Sequence, residues 1–175
     1  MKNIQIYLLL VRFPDDSSLS VHFTYGNCNF MQKRYEIAQR SYEDSLRIAV
    51  VELPTHPITA AIYYSLAGIE IVLDHPDVTR LYLNKARQIA EIRSPTRDDG
   101  VVARILWRTA VFLETDVLGK FTSGEATELR QRAELARKDL AANGEGGFVL
   151  FGDQKEEEKN TEQDEFDALV PLFYR

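Results

Sequence analysis

One pattern in this chain is written twice at a fixed distance, and it constrains the fold more than any other feature. Tyr25-Gly26 is followed by Ala38, Tyr42, Ser45 and Ile48; Leu66-Ala67 is followed by Thr79, Leu83, Ala86 and Ile89. Every member of the second set lies 41 residues beyond its counterpart. A period of about 40 residues carried by small and large apolar positions is the pattern of helix pairs stacked into an array. One pair cannot bury its own apolar faces, and a like neighbour covers them. Residues 25–90 therefore set the architecture, and nothing among them specifies what the array binds.

The flanking residues extend this to six helices. Asp15-Asp16-Ser17-Ser18 is turn and cap chemistry, so Ser18 or Ser20 opens a first helix that runs to about residue 32. In the second helix Tyr35, Ala38, Tyr42, Ser45 and Ile48 or Ala49 keep the three-to-four spacing of one helical face. Leu53-Pro54-Thr55-His56-Pro57 stops it, because proline cannot continue a helix and restrains the residue before it. Pro57 suits the start of a third helix over about 58–73, with Ile62, Leu66, Ile69 and Leu73 on one stripe. After Asp74-His75-Pro76-Asp77, a fourth helix over about 78–92 turns Tyr82, Leu83, Ala86 and Ile89 or Ala90 inward. Asp98 or Asp99 caps a fifth over about 101–114, which carries Val102, Ile105, Leu106, Thr109, Ala110 and Leu113. A sixth over about 125–142 places Ala126, Leu129, Ala133, Ala136 and Leu140 on one face. Glu128–Arg132 and Glu134–Lys138 are spaced on its other side as i,i+4 pairs, and Asn143-Gly144 ends it.

The chain divides into an apolar lead-in (1–17), a helical repeat domain (18–143), an acidic flexible linker (144–165) and an apolar C-terminal segment (166–175). Its 175 residues and 20.0 kDa suit one domain with a real core. Between residues 153 and 167 eight acids stand against Lys155 and Lys159, which accounts for the entire net charge of −6. The balanced remainder offers no broad phosphate-binding face, so nucleic acid is not an expected partner. The single cysteine, Cys28, excludes an intramolecular disulfide and fits a reducing, cytoplasmic compartment. The apolar run at residues 4–11 is short of the roughly 20 residues that span a bilayer, and no membrane partner is expected. Arg12-Phe13-Pro14-Asp15 follows it in place of a small-residue cleavage site. A signal peptide, a strand or helix remnant, and the residues preceding the first intact unit of a longer repeat protein all remain open readings.

The repeat resembles the tetratricopeptide repeat in its longer form of about 42 residues, as in kinesin light chains and MalT-like regulators. That family places a large and then a small residue in its first helix, matched by Tyr25-Gly26 and Leu66-Ala67. Its second helix carries a small residue, a large one four on and another small one three beyond. Ala38, Tyr42 and Ser45 fit this, and Thr79, Leu83 and Ala86 fit it more loosely. Thr55-His56-Pro57 resembles the His-Pro element of the longer form's connection. The usual aromatic of the first helix is replaced by Asn29 and Glu70, and the third pair carries an insertion that sets Ala133 47 residues beyond Ala86. The resemblance covers roughly residues 20–142 and implies an all-α solenoid of about three antiparallel helix pairs, followed by a flexible acidic C-terminal tail.

The resemblance further implies a protein–protein interaction scaffold, with no catalytic residues, cofactor or metal, that binds a peptide or partner helix in a concave groove lined by the first helices. Candidate groove residues are Asn27, Tyr63, Glu70, Arg104, Trp107 and Arg108. Asn27 matches an asparagine of the family's carboxylate-gripping variant, but Phe23 and Ser65 stand where that variant needs lysine and asparagine. No carboxylate clamp is expected, and Asn27 is expected to be a satisfied groove-side amide. Arg104 and Arg108, one turn apart, suit an acidic partner segment, a solvated face or intramolecular ion pairs. Trp107 is a core residue or an interface anchor. An enzyme is the distant alternative: His22, His56 and His75 are scattered, and no GxxxxGK[ST] loop occurs. The nearer alternative is a regulatory or self-associating part of a larger repeat protein. Residues 166–175 then cap the last pair, serve as a motif for a partner, or occupy a neighbour's groove.

Overall fold

The computed structural model describes residues 17–115, 123–144, 162–167 and 169. All regular structure among them is helical: α1 (Ser17–Met31), α2 (Tyr35–Glu52), α3 (Pro57–Val72), α4 (Pro76–Arg93), α5 (Gly100–Glu114), α6 (Ser123–Ala142) and α7 (Glu162–Asp167). The chain is all-α. α1 packs on α2, α3 on α4 and α5 on α6, while α2 meets α3 and α4 meets α5 to join the pairs. The N-terminal lead-in and most of the acidic linker lie outside the described residues.

The 41-residue sequence period is also a backbone period. α2 and α4 are both 18 residues long and start at Tyr35 and Pro76; α1 and α3 end at Met31 and Val72. Each of the first two pairs turns through one residue in the left-handed region, Lys33 at φ 60° and Asp74 at φ 58°. Both turns close with the same 2.9 Å hydrogen bond, from Arg34 N–H to the Asn29 carbonyl and from His75 N–H to the Glu70 carbonyl. Such a left-handed residue is the common way to end a helix, and glycine is its usual occupant. The third pair departs from the period. α5 starts 43 residues after α3, and α6 starts 47 after α4.

Within the first pair the small position lets two backbones approach closely. A Cβ on Gly26 would lie 2.5 Å from the Tyr42 ring. The Tyr42 hydroxyl donates to Asn27 Oδ1 at 2.8 Å, and Ser45 Oγ donates to the Leu19 carbonyl at 3.0 Å. These bonds satisfy polar atoms that would otherwise be left unpaired by packing. In the second pair Thr79, Leu83 and Ala86 are likewise buried. α3 is apolar on nearly all sides and contributes to both hydrophobic clusters, one shared with α1 and α2, the other with α4, α5 and α6. Ile62 and Leu66 on α3 are fully buried, whereas Val21 and Tyr25, their counterparts on α1, are 57% and 55% exposed. α1 therefore carries an open apolar stripe where α3 carries a covered one.

The helix starts follow cap chemistry. Asp99 Oδ1 accepts from Val101 N–H at 2.9 Å and Val102 N–H at 3.0 Å, and Ser94 Oγ donates to its other oxygen at 2.6 Å. His56 precedes Pro57, and its Nδ1 accepts from Ile58 N–H at 3.2 Å. His75 precedes Pro76 but caps nothing; its Nδ1 lies 2.8 Å from Glu70 Oε2. Leu73 falls one residue past α3 and is exposed. The i,i+4 pairs expected on α6 give way to other partners. Arg132 reaches across to Glu91 and Asp98, and Glu134 pairs with Arg137. Long-range pairing with a fixed loop carboxylate uses the arginine fork fully, which a neighbour on the same helix does not. The span taken as linker holds the start of α7 at Glu162.

Two measurements follow from these contacts. Gly26→Ala gains up to about 1 kcal/mol of helix propensity but overpacks the buried Tyr42 ring at a cost of about 1–3 kcal/mol. A lower urea midpoint is expected, whereas Gly124→Ala, with nothing within 4 Å of the added Cβ, leaves the midpoint unchanged or raises it. The second concerns His56, whose pKa burial lowers, with Arg93 adding to the effect. The unfolded chain then binds a proton at His56 at a pH where the folded chain does not. Stability contributed here is complete above the ordinary value of about 6.5 and falls as pH drops through the window down to the lowered folded value. His56→Asn keeps a capping side chain without a titration, and its stability curve over that window is expected to be flatter than wild type.

Candidate functional site

The first helices α1, α3 and α5 each place one large aromatic residue at the same point. Phe23 and Tyr64 are 41 residues apart, Tyr64 and Trp107 are 43, and all three are buried. Around Tyr64 two guanidinium groups gather from α5. Arg104 Cζ lies 4.2 Å from the ring centroid and Arg108 Cζ lies 5.0 Å away, within cation–π range. Arg108 also donates to the Tyr64 hydroxyl over a long 3.4 Å. A Cβ on Gly68 would lie 3.3 Å from the Arg108 side chain and 3.7 Å from the Phe30 ring. Phe30, Gly68 and Arg108 thus stand side by side across the three first helices.

Two like charges over one ring need a counter-charge, and Arg104 has one. Asp167 of α7 accepts from Arg104 Nε at 2.5 Å. The preceding residue, Phe166, is fully buried and stacks on Trp107 with centroids 5.3 Å apart and an interplanar angle of 19°. α6 supplies the other side of the contact. Arg137 lies 5.8 Å from the Phe166 ring centroid and pairs with Glu165 at 2.9 Å, and Arg130 pairs with Glu162 at 2.6 Å while also holding Glu114. At the start of α5 the absence of a side chain on Gly100 admits the Leu169 backbone, which a Cβ would strike. This contact leaves two buried donors without acceptors, Trp107 Nε1 and Arg108 Nε. An unmade buried hydrogen bond costs about 1–3 kcal/mol.

The six sequence candidates separate into two groups. Arg104, Trp107 and Arg108 come together on α5, beside Tyr64 and under α7. Arg104 is in an intramolecular ion pair, and Trp107 is both a core residue and the stacking partner of Phe166. Asn27, Tyr63 and Glu70 lie elsewhere. Asn27 accepts the Tyr42 hydroxyl, as a satisfied amide should. Tyr63 leans on Tyr82 at 5.9 Å between α3 and α4. Glu70 is buried, held by Gln39 Nε2 at 3.2 Å and His75 Nδ1 at 2.8 Å, so it ties α2 and the start of α4 to α3. Tyr64 and the α7 acids were not among the candidates. The shared register with Phe23 and Trp107 was the signal that marks Tyr64.

Elsewhere the surface offers less. A shallow depression beside Thr96, Arg97, Asp98, Arg132, Leu135 and Asp139 has Arg132 already engaged by Asp98 and Glu91. Among the described residues no helix is long and apolar enough to cross a membrane, and no three His, Cys, Asp or Glu side chains converge as metal ligands. Comparison with family models, curated proteins and solved structures produced no match.

The α7 contact has a built-in reporter, since Trp107 is the only tryptophan in the chain. Phe166→Ala removes the stacked ring, and its cost is limited to the free energy that docks α7, about 2–3 kcal/mol for one buried aromatic side chain. Trp107 emission is expected to shift to longer wavelength while the helical circular dichroism changes little. Unchanged emission would count against the stacked pair.

Proposed function

We propose that this chain is a non-catalytic protein–protein interaction module, a short tetratricopeptide-like array that works in the cytoplasm. It takes a peptide or partner helix on the side formed by α1, α3 and α5. The observation that carries this reading is the common 41-residue register of sequence and backbone across the first two pairs. An array of this kind offers a continuous row of first helices, and such rows serve as extended binding surfaces. Phe30, Gly68 and Arg108 lie along the row. One turn beyond Asn27 and Gly68, Met31 and Val72 are 82% and 48% exposed in equivalent positions. Exposed apolar side chains repeated in register on adjacent helices are what a docked segment would cover.

Affinity capture with the full chain and with a Met31→Lys, Val72→Lys variant tests this. Both side chains are exposed, so the variant is expected to keep its helical circular dichroism and melting midpoint while losing most of the captured partner. A partner set that the two substitutions leave unchanged would remove the first-helix row as the binding surface.

A further inference from the structure

The face of the last pair that α7 covers is built as a receptor. Three arginines from two helices each meet a different acid of α7: Arg104 with Asp167, Arg130 with Glu162 and Arg137 with Glu165. Between them Trp107 presents a flat ring to Phe166, and Gly100 clears a path for the backbone at Leu169. Glu162, Glu165 and Phe166 have the i, i+3, i+4 spacing of one helical face, and a helix laid into a groove is recognised by such anchors. Among the described residues these receptor groups belong to α5 and α6. The ligand helix is joined to them only through residues 145–161, 17 residues of chain. α7 also leaves Trp107 Nε1 and Arg108 Nε unserved, so a segment bringing acceptors to them has a further gain open to it.

We infer that this face is the docking site for an acidic helical segment of a partner protein, of the form Glu-x-x-Glu-Phe-Asp, and that α7 is the resident competitor it displaces. The inference rests on the interaction-module reading and names the class of partner. Covalent connection gives α7 an effective concentration on the order of millimolar, so a free segment of equal intrinsic affinity binds wild type weakly. A segment that also satisfies the two open donors overcomes this advantage. α7 thereby sets a threshold that excludes weaker acidic helices.

The test uses the full chain carrying Phe166→Ala and Asp167→Ala, with a labelled peptide of residues 160–175 as the probe. Binding is followed by anisotropy and Trp107 emission. The variant is expected to bind the peptide at least about tenfold more tightly than wild type. Adding Arg104→Glu is expected to remove that gain, and a peptide with Asp167→Arg to recover part of it. A folded variant that does not bind the peptide overturns the inference. Should circular dichroism show the variant unfolded, Glu162→Lys with Glu165→Lys carries the same comparison, since both side chains are half exposed. Tighter peptide binding than wild type then supports the inference, and equal binding overturns it. Peptide failure alongside partner capture that depends on Met31 and Val72 defeats this inference alone. Peptide binding without that dependence defeats the first-helix surface and leaves the α7 face standing.

Discussion

The Tyr42 ring lies where a side chain on residue 26 would otherwise be, and this contact sets the distance between α1 and α2. Helices pack at about 8–10 Å according to the side chains at their crossing, and a glycine under an aromatic ring is among the closest arrangements. Tyr42 can then reach Asn27 with its hydroxyl, and Ser45 can reach the Leu19 carbonyl. Those bonds fix the first pair along its length. In the second pair Ala67 and Leu83 hold the corresponding places with a bulkier small residue and a smaller large one, and the helix lengths and the turn stay in register. The repeat is thus conserved in geometry while the volumes at one crossing are exchanged.

What could be found by inspecting the sequence was what local chemistry decides. Pro57, Asp99 and Asn143-Gly144 mark their boundaries because each affects the backbone within a residue or two. Helix faces were legible for the same reason, and Ile62, Leu66, Ile69, Leu83 and Ala86 are all buried. Choices among distant partners were not legible. Arg132 has Glu128 at the ideal helical spacing and bonds instead to Glu91 and Asp98, which only the folded chain brings near. Glu70 was a candidate for partner contact on a first helix, and its bonds to Gln39 and His75 could not be foreseen from spacing. α7 was hidden by its charge. A run of acids reads as solvated until three arginines on another part of the chain are placed opposite them.

The α7 contact combines forces that differ in range and strength. Ion pairs between half-exposed side chains contribute little each and weaken with salt, which describes Arg130–Glu162 and Arg137–Glu165. Arg104–Asp167 is more sheltered on the arginine side, and removal of Asp167 would leave a buried cation above Tyr64 beside a second cation. The stacked Trp107–Phe166 pair buries apolar surface and, unlike the ion pairs, is not screened by salt. The acids therefore add orientation and selectivity, and with the two rings they hold α7 in place.

The open stripe on α1 and the covered face of α5 and α6 make the two sides of the described helix pairs unlike. A further helix pair built to the same repeat would bury Val21 and Tyr25 as α2 buries Ile62 and Leu66, with no residue of α1 changed. At the opposite side the same addition would first have to evict Phe166 and separate three ion pairs. One side of the helical stack thus presents open apolar side chains, while the other is occupied by an aromatic ring and three ion pairs.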